Sequence, residues 1–269
     1  MIALTRDDEN YTSGWLRIRR PQFKIESQQF CIKNQRKNKA ILRAGSLLHR
    51  GVAWTLEQCS AADPCNCEAC LLCMRRFRWR LLNQSISQVH FGDWTAASIV
   101  PSGALVSIGE LPSFDIRKHI RRWHKRIERN SLLSDCRIVG GIDISLNVDR
   151  GRTVYWQPHL YILIGAEKSN QLRHAVMSAF PAEPMARRPY RFRSVKEQLE
   201  AISYSYKSTF YARHSYVNEE DEEVVEKSPL PEDAHRELLL FLSRYSLGDR
   251  LLLRKFRRHG PSLNLLHLP

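Results

Sequence analysis

The sequence predicts an α+β fold with a central antiparallel sheet flanked by helices, and a small cysteine-rich module N-terminal to that sheet. Segments in which apolar and polar residues alternate, as in strands, are interspersed with segments whose apolar residues recur at helical spacing. Ahead of the first predicted strand, five cysteines lie within fifteen positions, at Cys59, Cys65, Cys67, Cys70 and Cys73.

Changes in composition divide the 269-residue chain into five parts. Residues 1–54 are basic and polar and are predicted to form a partly ordered arm, and residues 55–82 form the cysteine-rich module. Residues 83–216 contain the predicted sheet domain. An acidic linker at residues 217–231 is followed by a helix and a basic tail at residues 232–269.

Residues 89–109 are predicted to form one or two strands around a turn at residues 101–103. A helix with Ser113 as its N-cap follows. Its apolar residues recur at helical spacing and its other face is basic, so we interpret the apolar stripe as core, made by Ile116, Ile120, Trp123 and Ile127.

Two strands around a turn at residues 149–152 carry the most informative side chains. Both alternate between apolar and polar residues, so each strand has an apolar face and a polar face. Asp143 lies on the polar face of the first strand, and His159 lies on that of the second. Because the strands are predicted to form an antiparallel hairpin, we expect Asp143 and His159 to share one surface.

A helix near residues 168–180 and a loop rich in proline and arginine at residues 181–193 come next. Another helix is predicted from about Ser194. Tyr204 and Lys207 are three positions apart, so on this helix they would lie on one stripe.

The cysteine cluster has the spacing of metal ligands. Cys67, Cys70 and Cys73 are each separated by two residues, and Cys59 or Cys65 can supply a fourth thiolate. The sequence leaves open which four of the five cysteines bind. Nothing at the N-terminus resembles a signal peptide, so we expect a cytoplasmic protein with a structural zinc rather than disulfides.

The formal net charge of +14 and the pI near 9.7 favour a polyanionic partner such as DNA. Directly after the cysteines, arginines alternate with aromatic residues and are predicted to contact DNA, at Arg75, Arg76, Arg78 and Arg80. The alternative is an amphipathic helix whose Phe77 and Leu81 face the core while the arginines are merely solvated. No segment approaches ~20 consecutive apolar residues, so no membrane partner is expected.

The strand and helix motifs occur in an order that resembles the rolling-circle replication initiators, the Rep members of the HUH endonuclease superfamily. These proteins carry an acidic residue on one strand, a Pro-His-hydrophobe-His motif on another, and then a Tyr-x-x-Lys helix. The resemblance rests on Asp143, on Pro158 with His159, and on Tyr204 with Lys207. It covers about residues 59–213 and departs from the family at Tyr161, where a second histidine is usual, so the metal motif is a degenerate His-hydrophobe-Tyr.

The resemblance implies a nicking and joining reaction on single-stranded or hairpin DNA. Tyr204 is the implied nucleophile, which would leave a 5′-phosphotyrosyl link and a free 3′-hydroxyl. Lys207 would lower the pKa of the tyrosine hydroxyl or neutralise the phosphate. Helical phase favours Tyr204 because it aligns with Lys207, but Tyr206 remains open as an alternative nucleophile.

The same resemblance assigns a divalent cation, Mg or Mn, to Asp143 and His159, with Tyr161 or Gln157 as supplementary ligands. The sequence does not decide whether Tyr161, in place of the second histidine, abolishes activity.

The implied role is to initiate rolling-circle replication of a plasmid or similar mobile element in a bacterial or archaeal cell, with the replication machinery as a further partner. A catalytically weakened, zinc-containing DNA-binding protein or regulator is the alternative interpretation. An unrelated zinc-containing RNA-binding protein is a third. The sequence leaves the recognised origin, the preferred metal and the oligomeric state open.

Overall fold

The computed structural model describes residues 25–89, 93–149, 153–186, 188–195, 198–217, 223–259 and 262–265. The helices in these residues are α1 (Gln28–Arg43), α2 (Leu47–Gln58), α3 (Leu71–Val89), α4 (Ile116–Glu128), α5 (Ser131–Asp135), α6 (Asn170–Ala179), α7 (Gln198–Ser205) and α8 (Glu232–Leu242). The strands are β1 (Thr95–Ile99), β2 (Val106–Ser107), β3 (Ile138–Asp149), β4 (Thr153–Ile164), β5 (Tyr190–Ser194), β6 (Ala212–Val217), β7 (Glu223–Ser228), β8 (Leu251–Arg254), β9 (Phe256–His259) and β10 (Ser262–Leu265).

A mixed sheet flanked by helices forms the centre of the molecule, so the predicted α+β class is confirmed. Among the described residues, its strand order is β5-β1-β4-β3-β6-β7, with β2 also paired to β4 and β8 to β3. The prediction of a purely antiparallel sheet is wrong at one pairing, because β3 and β6 run parallel. The chain reaches β6 through a long connection that contains α6, β5 and α7 rather than through a hairpin, which allows parallel pairing.

Strands β3 and β4 form the predicted antiparallel hairpin, in which Asp143 is the direct register partner of His159. The apolar residues Ile142, Ile144 and Leu146 are fully buried. Their burial holds the register, because a slip by one residue would turn this apolar set to the other face of the sheet. The expected proximity of Asp143 and His159 is therefore confirmed.

Gly141 lets the end of α7 approach β3 closely. A Cβ atom added at Gly141 would lie 2.8 Å from the carbonyl oxygen of Ser205 and 3.2 Å from that of Arg250. Both neighbours are backbone atoms, which move less readily than the end of a flexible side chain. The glycine is therefore a packing requirement at the point where β3, α7 and the segment before β8 meet.

We expect Gly141→Ala to destabilise the protein by about 1–3 kcal/mol, the range for overpacking a well-packed core. The measurement is the midpoint of urea-induced unfolding. Gly51→Ala is the matched control, because a Cβ at Gly51 would meet nothing within 4 Å and alanine favours the helix in which it lies. Equal midpoint shifts in the two variants would contradict the close approach at Gly141.

Helix α4 confirms the predicted helix after the first strands, with a different N-cap. The side chain of Asp115 accepts a hydrogen bond from the backbone N–H of Lys118 at 3.0 Å. Ser113, the predicted N-cap, lies two residues earlier, at the end of a 3-10 helix at Leu111–Ser113. Trp123 and Ile127 are buried in the core, which confirms that the apolar stripe of this helix is a packing surface.

The cysteine-rich segment packs on the C-terminal part of the chain. The backbone N–H of Glu68 donates to the carbonyl of Tyr245 at 3.0 Å, and Cys67 forms an isolated bridge with Ser246. Residues 223–228, which fall in the predicted acidic linker, form β7 and pair with β6. Most of the acidic run, at 218–222, and residues 1–24 of the predicted arm lie outside the described residues. No helix in the described ranges is long and apolar enough to cross a membrane.

Candidate functional site

Asp143, His159 and Lys207 meet in one buried polar cluster. The Oδ2 atom of Asp143 lies 3.1 Å from Nε2 of His159 and 2.6 Å from Nζ of Lys207. Its Oδ1 atom accepts a hydrogen bond from the backbone N–H of Ile144 at 2.8 Å. Asp143 and His159 are buried, at 1% and 5% exposure. The structure thus brings together three of the four residues predicted for catalysis and cation binding.

The carboxylate of Asp143 stays ionised in this environment. Burial alone would raise the pKa of Asp143, but the Lys207 ammonium and the His159 imidazole outweigh it and hold the pKa below its usual range. Nζ of Lys207 and Nε2 of His159 thus approach the same carboxylate oxygen, at 2.6 Å and 3.1 Å.

His159 lies between a backbone carbonyl and the carboxylate of Asp143. Its Nδ1 atom is 3.3 Å from the carbonyl oxygen of Gln157, and its Nε2 atom is 3.1 Å from Oδ2 of Asp143. A neutral imidazole carries its proton on one of the two ring nitrogens. With the proton on Nε2 the ring donates to Asp143, and with the proton on Nδ1 the lone pair of Nε2 is available to a cation.

The pair has the spacing of two adjacent ligands in an octahedral shell. Mg²⁺ binds its ligands at ~2.1 Å, which puts neighbouring ligand atoms about 3.0 Å apart, close to the 3.1 Å between Nε2 of His159 and Oδ2 of Asp143. A carboxylate oxygen and an imidazole nitrogen both suit Mg or Mn. The spacing of these two atoms would therefore suit two ligands of a divalent cation, but the ammonium of Lys207 lies 2.6 Å from the same oxygen and would compete with it.

Tyr204 lies beside this cluster with its side chain 40% exposed. Its ring contacts that of Tyr161 edge-on, with centroids 4.9 Å apart, and Nζ of Lys207 lies 5.3 Å from its centroid. The predicted helical stripe is wrong, however. Helix α7 ends at Ser205, so Lys207 follows the helix and reaches Asp143 from a turn.

Tyr206 points the opposite way. It is 1% exposed, and its hydroxyl contacts the carboxylate of Glu68 and accepts a hydrogen bond from the backbone N–H of Gly248 at 2.6 Å. Burial, followed by the charge of Glu68, raises its pKa well above the ordinary value. Of the two tyrosines left open by the sequence, Tyr204 is the one that solvent reaches in this structure.

Glu68 and Arg250 form a buried ion pair beneath the site. Their side chains are inaccessible to solvent, and Nε of Arg250 donates to Oε2 of Glu68 at 2.9 Å. The guanidinium also donates to the carbonyl of Ile142, next to Asp143, at 2.9 Å and to that of Lys207 at 3.2 Å. Arg250 thus ties both cluster segments to the cysteine-rich loop. The sequence did not predict this ion pair. The one hint of it in the sequence is that a charged residue, Arg250, directly precedes the apolar run 251–253.

Four of the five cysteines converge. The sulfur atoms of Cys59, Cys65, Cys70 and Cys73 all lie within 4.8 Å of one another. The sulfur–sulfur distances are 3.4 Å for Cys59–Cys73, 3.6 Å for Cys59–Cys70 and 3.8 Å for Cys65–Cys73. Four thiolates at ~2.3 Å from a tetrahedral Zn²⁺ would be about 3.8 Å apart. These four cysteines can therefore bind a metal such as zinc.

Cys67 does not belong to this group. Its sulfur lies 3.9 Å from the carbonyl oxygen of Ser243 and accepts a hydrogen bond from the backbone N–H of Ala69 at 3.4 Å. Burial raises the pKa of its thiol to about 12. The two-residue spacing had placed Cys67 among the candidate ligands, but the turn between Cys67 and Cys70 directs its side chain elsewhere.

The four arginines predicted to contact DNA lie on α3 in different surroundings. Nε of Arg75 donates to the carbonyl of Glu26 at 2.9 Å, and Arg75, Arg76 and Arg80 are partly exposed. Arg78 is 3% exposed, forms an ion pair with Glu26, and donates to the carbonyl of Ser203 at 3.0 Å. Its guanidinium is committed inside the protein, so we do not retain Arg78 among the proposed DNA contacts. Phe77 and Leu81 face the core, as the alternative interpretation expected.

Comparison of the chain with protein-family models, with curated proteins and with solved structures found no match in any of the three. The function is therefore inferred from the site itself: an ionised carboxylate paired with a histidine, an ammonium beside them, and an exposed tyrosine at the same surface.

Proposed function

We propose that this chain nicks and joins single-stranded or hairpin DNA, with Tyr204 as the nucleophile and with Mg or Mn bound by Asp143 and His159. The observation that carries the proposal is the convergence of Asp143, His159 and Lys207 beside the exposed Tyr204. Under this proposal the sheet domain is of the Rep type. Its cellular role is to initiate rolling-circle replication of a plasmid or similar element in the cytoplasm of a bacterial or archaeal cell.

The reaction exchanges one phosphodiester for another. The hydroxyl oxygen of Tyr204 attacks a DNA phosphorus, the bond from phosphorus to the 3′-oxygen breaks, and that oxygen takes up a proton as the tyrosine loses its own. The product is a 5′-phosphotyrosyl ester with a free 3′-hydroxyl, and attack by a 3′-hydroxyl rejoins the strand. When bound, the divalent cation polarises the phosphate and stabilises its developing charge.

Lys207 adds positive charge to the same region. Its ammonium lies 5.3 Å from the ring centroid of Tyr204 and 2.6 Å from Oδ2 of Asp143. With a cation held by Asp143 and His159, the ammonium of Lys207 would be available to pair with the phosphate. A fixed positive charge at this position stabilises the additional negative charge of the transition state.

We further propose that the metal bound by the four cysteines is zinc and that it is structural. A site with four thiolate ligands leaves no coordination position for water or substrate. Glu68 belongs to the cysteine-rich loop, and Arg250 links it to the backbone carbonyl of Lys207. By holding this loop in place, the bound zinc would help to position the segment that contains Tyr204 and Lys207.

A second candidate function is DNA binding without nicking. The specific observation in its favour is that Lys207 already neutralises Asp143, with Nζ 2.6 Å from Oδ2, while Tyr161 replaces a second histidine ligand. A protein of this kind would act as a zinc-containing regulator. The two candidates differ in whether a covalent DNA adduct forms.

We expect Tyr204→Phe to abolish adduct formation. Purified protein is incubated with labelled single-stranded and hairpin oligonucleotides, including a cognate origin, in the presence of Mn or Mg. A denaturing gel then reports the covalent adduct, and mass spectrometry locates the modified residue. His159→Ala is also expected to remove the adduct, because it removes one of two cation ligands.

Tyr211→Phe is the matched control, since Tyr211 is also 40% exposed and lies outside the polar cluster. It should retain the wild-type adduct. An adduct that persists in Tyr204→Phe would disprove the assignment of the nucleophile. Salt-sensitive DNA binding with no adduct on the cognate origin would support the binding-only candidate.

A further inference from the structure

Helix α4 carries a stripe of exposed cations that the proposed reaction does not use. Helical spacing puts these residues within about 100° of arc on one side of the helix. We call this stripe the α4 basic face, and it consists of Lys118, Arg121, Arg122, Lys125 and the C-cap residue Arg129, all exposed. None of the five has a side-chain hydrogen bond or ion pair to another described residue. By contrast, the neighbouring Arg117 is paired with Asp249 at 2.6 Å.

Little negative charge on the helix offsets this face. Glu128 is the one acidic residue of α4 and lies 3.5 Å from Arg254. The two histidines of the helix are partly buried, and burial lowers the pKa of both His119 and His124, so at neutral pH they add little charge. The α4 basic face therefore presents several unneutralised charges to solvent.

The opposite side of α4 anchors the helix in the core. Ile116, Trp123 and Ile127 are buried, and the ring of Trp123 packs against Phe180 with centroids 6.1 Å apart. The helix therefore presents the α4 basic face from a fixed position, and a partner that binds it need not order the backbone first.

The composition of the exposed side selects the kind of partner. Every exposed residue of α4 is charged. Single-stranded nucleic acid is normally bound with aromatic side chains that stack on its bases. A membrane surface would require apolar residues that insert into lipid, and protein interfaces usually have an apolar or aromatic centre. The α4 basic face has no exposed aromatic or apolar residue, so it fits none of these three partners. Its row of cations matches a regular array of phosphates.

The length of the face suits a duplex. Lys118 and Arg129 are eleven positions apart, which on a helix corresponds to ~16 Å. Over that length a DNA duplex carries about nine phosphate charges. We propose that the α4 basic face binds the phosphate backbone of double-stranded DNA, as a contact separate from the nicking site at Tyr204.

The test measures binding of a double reversal, Arg121→Glu with Lys125→Glu, to a 20-base-pair DNA duplex. Magnesium and manganese are left out, so the result does not depend on the nicking activity. We expect affinity at low salt to fall about 100-fold, and the slope of log affinity against log salt to decrease by about two, because two phosphate contacts are lost. Binding is measured by fluorescence anisotropy from 50 to 300 mM salt.

The matched control is Lys33→Glu with Lys37→Glu on α1, where both lysines are exposed. Each double reversal exchanges two positive for two negative charges and lowers the formal net charge from +14 to +10. The control should retain duplex affinity within about threefold. Circular dichroism verifies folding, and a milder pair, Arg121→Gln with Lys125→Gln, replaces the first variant if that variant is unfolded.

Equal losses in the two reversals would show that only global charge matters and would overturn the proposal, as would unchanged binding of the α4 variant. Tighter binding of an RNA duplex of the same sequence would overturn the choice of DNA. If the α4 variant lost more affinity for single-stranded than for double-stranded DNA, the α4 basic face would be a single-strand contact. That result would also disprove the proposal.

Discussion

Arg250→Met is expected to destabilise the protein by about 3–5 kcal/mol, the range for breaking one half of a buried ion pair. The substitution leaves the carboxylate of Glu68 inaccessible to solvent without its guanidinium partner. It also removes the donors to the carbonyls of Ile142 and Lys207. The free energy of unfolding, measured in urea, tests this expectation.

Arg117→Met is the control for Arg250→Met, because Arg117 also pairs with an aspartate, at 2.6 Å, but its side chain is 52% exposed. Solvent screens such a pair, so its loss should change stability by at most about 1 kcal/mol. Similar losses in the two variants would contradict the special role of the buried pair. The double variant Glu68→Met with Arg250→Met should be more stable than Arg250→Met alone, since no buried charge is then left unpaired.

The second large effect concerns the four converging cysteines. Cys70→Ser should lose the bound metal, whereas Cys67→Ser should retain it, although both cysteines are buried in the same loop. Cys70 supplies one of the four sulfur atoms, and serine is a poor replacement for a thiolate ligand of zinc. Elemental analysis after dialysis should find about one zinc per chain in wild type and in Cys67→Ser, and almost none in Cys70→Ser.

Loss of the metal should also lower the thermal midpoint, because metal binding at such a site contributes directly to folding. After treatment with a chelator, the wild-type protein should have the same thermal midpoint as Cys70→Ser. The same treatment should leave the thermal midpoint of Cys70→Ser unchanged. Loss of zinc from Cys67→Ser, or its retention in Cys70→Ser, would contradict the ligand set that the structure indicates.

Local features of the sequence were sufficient to predict the hairpin and the proximity of Asp143 and His159. Strand alternation sets which residues face the polar side, and the short connection between β3 and β4 fixes the register that pairs Asp143 with His159. The core stripe of α4 is equally local, because it follows from helical periodicity alone. Such features involve residues that are close in the chain, so no knowledge of distant packing is required.

The end of α7 could not be predicted in this way. Helical spacing alone continues the helix through Lys207, but the structure ends it at Ser205. Tyr206 is then buried against Glu68, and Arg250 holds the carbonyl of Lys207 at 3.2 Å. The partners that decide this geometry lie 138 and 43 positions away in the chain. Tertiary contacts of this kind outweigh local helix preference.

The sequence by itself determined the α+β class, the pairing of Asp143 with His159, and a cysteine segment suited to metal binding. Only the tertiary structure decided that β3 pairs in parallel with β6, that Cys67 lies outside the group of four, and that Tyr204 rather than Tyr206 is exposed. It also revealed the Glu68–Arg250 pair, whose members are 182 positions apart. Local sequence patterns indicate backbone geometry and the direction of side chains. Contacts such as the Glu68–Arg250 ion pair form only when distant segments pack together, because each polar group buried between them must then find a hydrogen-bonding or ionic partner.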